Sequence, residues 1–356
     1  MMLSVAYVGS KNGRLPYSGL GNTASKASIN PCAASDAPCQ ATFAAQVDSL
    51  RPMPWVGAGV NYTLATGKAN YRALETKLQR RFTKGLSSLV AYTWGRSTDT
   101  GSGYFNVENG PGGASTIQNY YDQSTAWGIS SYDITHFLSW STLYELPFGK
   151  GKKWLTSGPG SWLLGNWQAN YIFQARSGAP YNLIVTGDLA NLRGSASLLG
   201  LSTPNNYLRP NLIADPFVAG PVAANPDPLC QKTISQGGRA ADQVHTIVSW
   251  FNPCAFGVPN NTGQFGDLKR NAFRGPAVYN VDFSIFKSIA LTERFKLQLR
   301  GEAFNVLNIQ NWDTPANANL TLNSSGSVLA AGVGKISSLA QGTTPRQIQF
   351  GIRLAF

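Results

Sequence analysis

The chain has 356 residues, yet only 13% are charged, while 43% are hydrophobic, 11% are aromatic, and 37 are Gly and 20 Pro. That balance suits strands joined by irregular loops better than packed helices. No run approaches the roughly 18 unbroken apolar residues of a membrane-crossing helix, which excludes a helical membrane protein but not a barrel. The formal charge of +12 does not gather into a stripe. Its densest groups, KLQRRFTK (Lys77 to Lys84) and GKGKK (Gly149 to Lys153), are strand alternation running into a turn and a Gly-broken loop. Solvated turns or a wet lumen fit this pattern, and nucleic acid is not an expected partner.

Taken in chain order, period-2 alternation predicts eight strands. The opening MMLSVAYVGS lacks the charged and apolar regions of a secretion signal and already reads as strand, from Leu3 to Val8. An exported protein without such a signal leads us to expect a chain that begins inside a longer reading frame. Tyr71 to Phe82 places Leu74, Thr76, Leu78 and Phe82 on one face and Glu75, Lys77, Gln79 and Arg81 on the other. Leu86 to Trp94 follows the turn TKG. Asp133 to Glu145 sets Leu138, Trp140 and Tyr144 against Ser139, Ser141 and Glu145. Asn166 to Arg176 sets Trp167, Ala169, Tyr171 and Phe173 against Gln168, Asn170 and Gln174. Val278 to Ile289 sets Tyr279, Val281, Phe283 and Ile285 against Asn280, Asp282 and Ser284, and Phe295 to Ala303 repeats the pattern. The last strand, RQIQFGIRLAF, puts Ile348, Phe350, Ile352, Leu354 and Phe356 on one face.

The connections alternate in length. TKG, PFGKGKKWLTSGPG and ALTE are short or modest, and between them lie loops of about 60, 35, 90 and 35 residues, far beyond the usual about 4–6. A transmembrane barrel has short periplasmic turns at one end and long extracellular loops at the other. Charges at alternate strand positions are costly on a dry face and cheap in a wet lumen. Aromatics near strand ends (Trp94, Tyr144, Trp167, Tyr279, Phe356) suit the two membrane interfaces. The expected fold is therefore all-β, an antiparallel transmembrane β-barrel segment with lipid against its apolar face. An ordinary antiparallel sheet with one solvated face shares the alternation but not the one-sided long loops.

Cys32, Cys39, Cys230 and Cys254 form two loose pairs in loops, which makes them disulfide candidates at the long-loop end in an oxidising compartment. No C-x-x-C pair exists and there are two histidines, so a zinc site is not expected. No G-x-S-x-G elbow accompanies His136 or His245, and GKGKK lacks the spacing of a phosphate loop. We expect no catalytic residue, cofactor or metal, and no enzyme. Glu75, Asp282 and Glu302 are expected to pair across strands with Lys77, Lys296, Arg300 and Arg353. WFNPCAF is expected to pack its loop on itself.

The segments YVGSKNGRLP, YDITHFLSWSTLYELPFGKGKKW, WFNPCAFGVP, GQFGDLKRNAFRGPAVYNVDFSIFKS and LRGEAFNVLN resemble the carboxy-terminal barrel of TonB-dependent outer-membrane receptors, in particular the Oar-like group with a carboxypeptidase-regulatory-like domain. The resemblance spans nearly the whole chain. It implies a 22-stranded barrel around an amino-terminal plug, of which residues 1–356 would be the carboxy-terminal part, without plug or signal peptide. It also implies import of a large or scarce solute, driven through TonB by the amino-terminal part that this sequence lacks. Ile348, Phe350, Ile352, Leu354 and Phe356 then resemble the signal read by the barrel-assembly machinery, since an exposed strand can pair edge to edge with it. Two other readings are a complete small outer-membrane barrel serving as an adhesin or structural surface protein, and a soluble carbohydrate-binding sandwich.

Overall fold

The computed structural model describes residues 1–22, 24–56, 60–103, 118–119, 121–186, 189–192, 208–259, 261–292, 294–315, 319–321 and 332–355. Among these residues, eight long strands form one antiparallel sheet in strict sequence order. They are β1 (Met2–Gly21), β2 (Val60–Thr83), β3 (Leu86–Asp99), β4 (His136–Glu145), β5 (Trp167–Arg176), β6 (Val278–Ala290), β7 (Lys296–Phe304) and β8 (Gln347–Ala355). β1 and β8 are the two edges, and no pairing among the described residues joins them. No helix is long and apolar enough to cross a membrane.

Register decides which side chains share a face. Leu3, Leu78, Val90 and Trp140 lie across from one another in successive ladders, and Trp140 lies across from Phe173 and then Val281. Phe283, Ala303 and Ile348 make a similar row across β6, β7 and β8. One face is thus apolar across the whole sheet, and Val5, Trp140, Phe283 and Phe350 on it are exposed. The opposite face carries Ser4, Lys77, Ser139, Gln174, Asn280, Gln298 and Gln349. A one-residue slip in any ladder would exchange these sets, so the pattern itself pins the register.

Three strand limits move outward by five residues or more from the sequence expectation, while β4 starts at His136 rather than Asp133. β1 runs to Gly21 rather than Val8, β2 starts at Val60 rather than Tyr71, and β3 ends at Asp99 rather than Trp94. Residues 60–67 of β2 have their ladder with β1 alone, while Lys68 still exchanges hydrogen bonds with Thr100, so this hairpin continues past the end of β3. At about 3.3 Å per residue that is about 26 Å of two-stranded ribbon, touched by the loop layer where Gln123 Nε2 donates to Thr66 Oγ1 at 2.8 Å. In water neither face of a ribbon needs to be apolar, and the periodic signal stops there although backbone pairing does not. The loop after β1 is consequently residues 22–59, shorter than expected.

Connections 84–85, 146–166 and 291–295 lie at one end of the sheet, and 22–59, 100–135, 177–277 and 305–346 lie at the other. Lys84 and Gly85 both have positive φ (52° and 81°), which matches the twist of a two-residue hairpin turn. A β-carbon on Gly85 would also press the Glu145 carbonyl oxygen at 3.1 Å.

The long loops build a second, loop-made core. Tyr181, Leu183, Leu208, Phe251, Cys254 and Phe256 are fully buried there, joined by Phe43 and Val47 of helix α1 (Ala37–Ser49). Asp36 starts α1, its side chain accepting from Cys39 N at 3.0 Å. Burial pushes the Tyr181 phenol well above its ordinary pKa, and its hydroxyl has no hydrogen-bond partner among the described residues.

Two buried arginines and one part-exposed arginine fasten this layer together and to the strand ends. Arg270 is wholly buried, ion-paired with Asp99 at the end of β3, and its Nε donates to the Ala126 carbonyl at 2.9 Å. Arg274 pairs with Asp133 and donates to the Gly178 carbonyl at 3.2 Å. Arg209 donates to the Leu268 and Thr125 carbonyls, both at 2.6 Å. Asn271 Nδ2 donates to the Ile129 carbonyl at 2.7 Å. Each group ties together segments that no local signal relates.

Two predictions follow from the faces and the fastenings. Phe283 is midway along β6 on the apolar face, so Phe283→Lys should cost about 2–4 kcal/mol in bilayers, whereas Ser284→Lys on the polar face should cost under about 1 kcal/mol; urea unfolding in lipid vesicles measures both. Asp99→Ala strands a buried guanidinium and should cost about 3–5 kcal/mol, against about 1 or less for Glu145→Ala, whose Lys152 partner is part-exposed. Faster amide exchange across residues 122–133 and 270–276 in Asp99→Ala, absent in Glu145→Ala, is the expected readout.

Candidate functional site

Where the polar face meets the long loops, the side chains of Phe137, Arg176, Asn280, Asp282, Phe304 and Gln347 converge on a cleft of about 550 Å³. All six fall on the polar face by register. Alternation along β4 to β8 therefore brings them together without any local motif. Segment 305–311 completes the wall. Asn305 and Asn308 have φ of 47° and 53°, left-handed values that Asn tolerates better than most residues. Asn305 Nδ2 donates to the Ile309 and Thr344 carbonyls at 3.0 and 2.9 Å. Asn311 holds the backbone of Tyr279 through its N–H and carbonyl at 2.8 and 2.7 Å. The asparagines of FNVLNIQN are thus loop architecture.

Within the cleft, one oxygen of Asp282 accepts from Asn280 Nδ2 and from the Asn305 N–H, both at 2.9 Å. Arg176 has no hydrogen-bond or ion-pair partner among the described residues and borders a second cleft, also about 550 Å³, with Tyr132, Trp312 and Thr314. Two phenyl rings, several amides and the Arg176 guanidinium can hold a polar solute with an apolar face and an anionic group. They contain no nucleophile–base pair. His136 lies on the opposite, apolar face, bonded to the Tyr92 hydroxyl at 2.8 Å, and His245 stacks on Phe217 at 4.8 Å in the loop layer. Among the described residues no cluster of three or more His, Cys, Asp or Glu could hold a metal ion.

The expected lumen ion pairs need correction. Among the described residues, Glu75, Asp282 and Glu302 make no ion pair with Lys77, Lys296, Arg300 or Arg353. Amides take their place, as Gln349 donates to Glu302 at 2.5 Å and Arg300 donates to Gln298 at 2.8 Å. Arg300 also lies 5.4 Å over the Phe286 ring. A wet face solvates these charges already, so pairing them gains little.

Ile348, Phe350, Ile352 and Leu354 lie along the apolar face of edge strand β8, with exposures of 62%, 86%, 76% and 51%. Phe356 lies outside the described residues. Cys32 is disulfide-bonded to Cys39 and Cys230 to Cys254, with Cα separations of 5.6 and 5.4 Å, both at the long-loop end. WFNPCAF is buried from Phe251 to Phe256, Phe251 and Phe256 meeting edge to face at 5.5 Å, and packs its loop. Sequence reasoning passed over Asp99, Arg176 and Lys287. Asp99 lies beyond the predicted strand, and Arg176 follows the polar alternation of β5 without any sign of its neighbours on β4, β6 and β7, whereas Lys287, a cation at an apolar-face position of β6, could have been found by carrying the alternation two residues past Ile285.

The comparisons fit this geometry. A family model described as an outer membrane beta barrel domain matches residues 1–349. Comparison with curated proteins and with solved structures gives no match. With a lipid-suited face, a wet face and connections sorted by length to the two ends, the chain belongs to the outer membrane beta barrel domain family and is a protein of the bacterial outer membrane.

Proposed function

We propose that this chain is an arc of a larger barrel, the carboxy-terminal part of a TonB-dependent receptor of the Oar-like kind, which imports a large or scarce solute. The observation that carries the reading is the pair of sheet edges, β1 and β8, which have no strand partner on their outer sides among the described residues, since a membrane-spanning sheet cannot leave backbone groups unpaired in lipid. Further strands from the same polypeptide would close it. The sequence resemblance supports the finer assignment, since the segment with Arg270, Asn271 and Arg274, which is part of it, helps fasten the loop layer to the strands. The polar-face cleft with Arg176 supplies a wall that an incoming solute would touch. Coupling to TonB would run through the amino-terminal plug, and this arc alone would not transport.

Purification from native outer membranes through an affinity tag in an extracellular loop tests the assignment. The expected product is one polypeptide well above 38.2 kDa that cross-links to TonB. A heat-modifiable species of the size of this chain alone, without a TonB cross-link, would instead support a small barrel acting as an adhesin or surface protein.

The terminal strand is proposed as the address read by the barrel-assembly machinery, with Phe356 anchoring at the periplasmic interface. Its support is an edge strand whose apolar face is complete and exposed. Phe356→Asp in the full-length gene should sharply reduce heat-modifiable protein in outer-membrane fractions. Wild-type insertion would leave β8 as wall and nothing more.

A further inference from the structure

Lys287 faces the wrong way for a cation. It lies on the apolar face of β6, opposite Trp167 on β5 and Leu299 on β7, yet it is almost wholly buried. What buries it is the connection between β4 and β5, which contains a short helix, α2 (Gly158–Leu164). Lys287 Nζ donates to the carbonyls of Trp162 and Leu163 at 2.7 and 2.6 Å and reaches that of Gly165 at 3.4 Å. Trp167 Nε1 donates to the same Leu163 carbonyl at 3.1 Å, and Nζ lies over the Trp167 ring at 5.1 Å. A lysine satisfying the open carbonyls at a helix C-terminus is ordinary chemistry. Here it pins the helix against the lipid side of the wall.

Depth follows from the strand. Tyr279 and Lys287 are eight residues apart, about 26 Å along the strand and about 20 Å of depth at the usual tilt near 40°. With Tyr279 at the outer interface of a band about 25 Å tall, Lys287 lies within about 5 Å of the far boundary. The short connections are at that end, and in such barrels that end is periplasmic. α2 consequently lies at the headgroup level of the periplasmic leaflet, where Trp162, Leu163 and Leu164 are 69%, 60% and 50% exposed.

Between α2 and the foot of β6 is a cleft of about 430 Å³ whose lining includes Lys150, Thr156, Ser157, Ser161, Trp162 and Ile289. Lys150 is exposed and has no partner among the described residues, and no Asp or Glu lines the cleft. We propose that this cleft is a binding site for an anionic phospholipid of the periplasmic leaflet. The phosphate sits against the Lys150 ammonium and the hydroxyls of Ser157 and Ser161, and the acyl chains run past Trp162 onto the apolar wall. Charge complementarity selects the headgroup, and continuity with the lipid-facing side of β6 selects a lipid over a soluble anion.

The test uses the full-length protein purified from outer membranes, stripped of lipid and titrated with phosphatidylglycerol in detergent, with bound lipids counted by native mass spectrometry. One tightly held phosphatidylglycerol per chain is expected, weakened about tenfold by Lys150→Glu, as loss of one charge-assisted contact implies, and retained in Lys150→Arg. Trp162→Ala should weaken it as well, with heat-modifiability unchanged in all three variants. Equal binding by wild type and Lys150→Glu would overturn the proposal. So would displacement of the lipid by inorganic phosphate at millimolar concentration, which would mark a site for a free anion.

Discussion

Every strand of this sheet separates two solvents. A backbone that crosses lipid must satisfy its N–H and C=O groups within the structure, and antiparallel pairing does so ladder by ladder. Once pairing is fixed, side chains have only two directions. Lipid tolerates Leu3, Trp140, Phe283 and Phe350, while the wet face accepts Lys77, Asn280 and Arg300. The loop lengths, the edges and the clefts are all arranged around that division, because whatever leaves the apolar band at either end enters water and obeys different rules.

Those rules show at the two ends. At the long-loop end the chain no longer has lipid to face, so it makes a core of its own from Phe251, Phe256, Tyr181 and their neighbours. Buried guanidinium groups then do what strand pairing does lower down, joining distant segments through many directed hydrogen bonds. Arg270 reaches Asp99 across a sequence separation of 171 residues. The opposite end is economical by comparison, with a two-residue turn at 84–85 and a helix held to the wall by Lys287 and Trp167.

The strand positions were legible in the sequence because each strand has one face in lipid, and apolar residues at every second position record that. Where a strand rises into water the record fades, which is why alternation alone marks β1, β2 and β3 shorter than they are. The loop layer was mostly illegible. Its core residues follow no period, and nothing local to Asp99 or Arg270 announces a partner. Even cysteine count placed Cys32, Cys39, Cys230 and Cys254 as candidates through parity and loop position, whereas the cleft around Arg176 required register across β4 to β8. The resemblance marked the Arg270 to Arg274 segment without explaining it; the fastening role belongs to the structure.

The two faces of this one sheet meet two different media. Single spin labels placed in turn at positions 279 to 287 of β6, in the protein inserted in bilayers, test it directly. Collision with oxygen, which concentrates in lipid, should peak at 281, 283 and 285, and collision with a water-soluble nickel chelate should peak at 280, 282, 284 and 286. Equal access of both agents along the strand, or alternation in the opposite phase, would contradict the account.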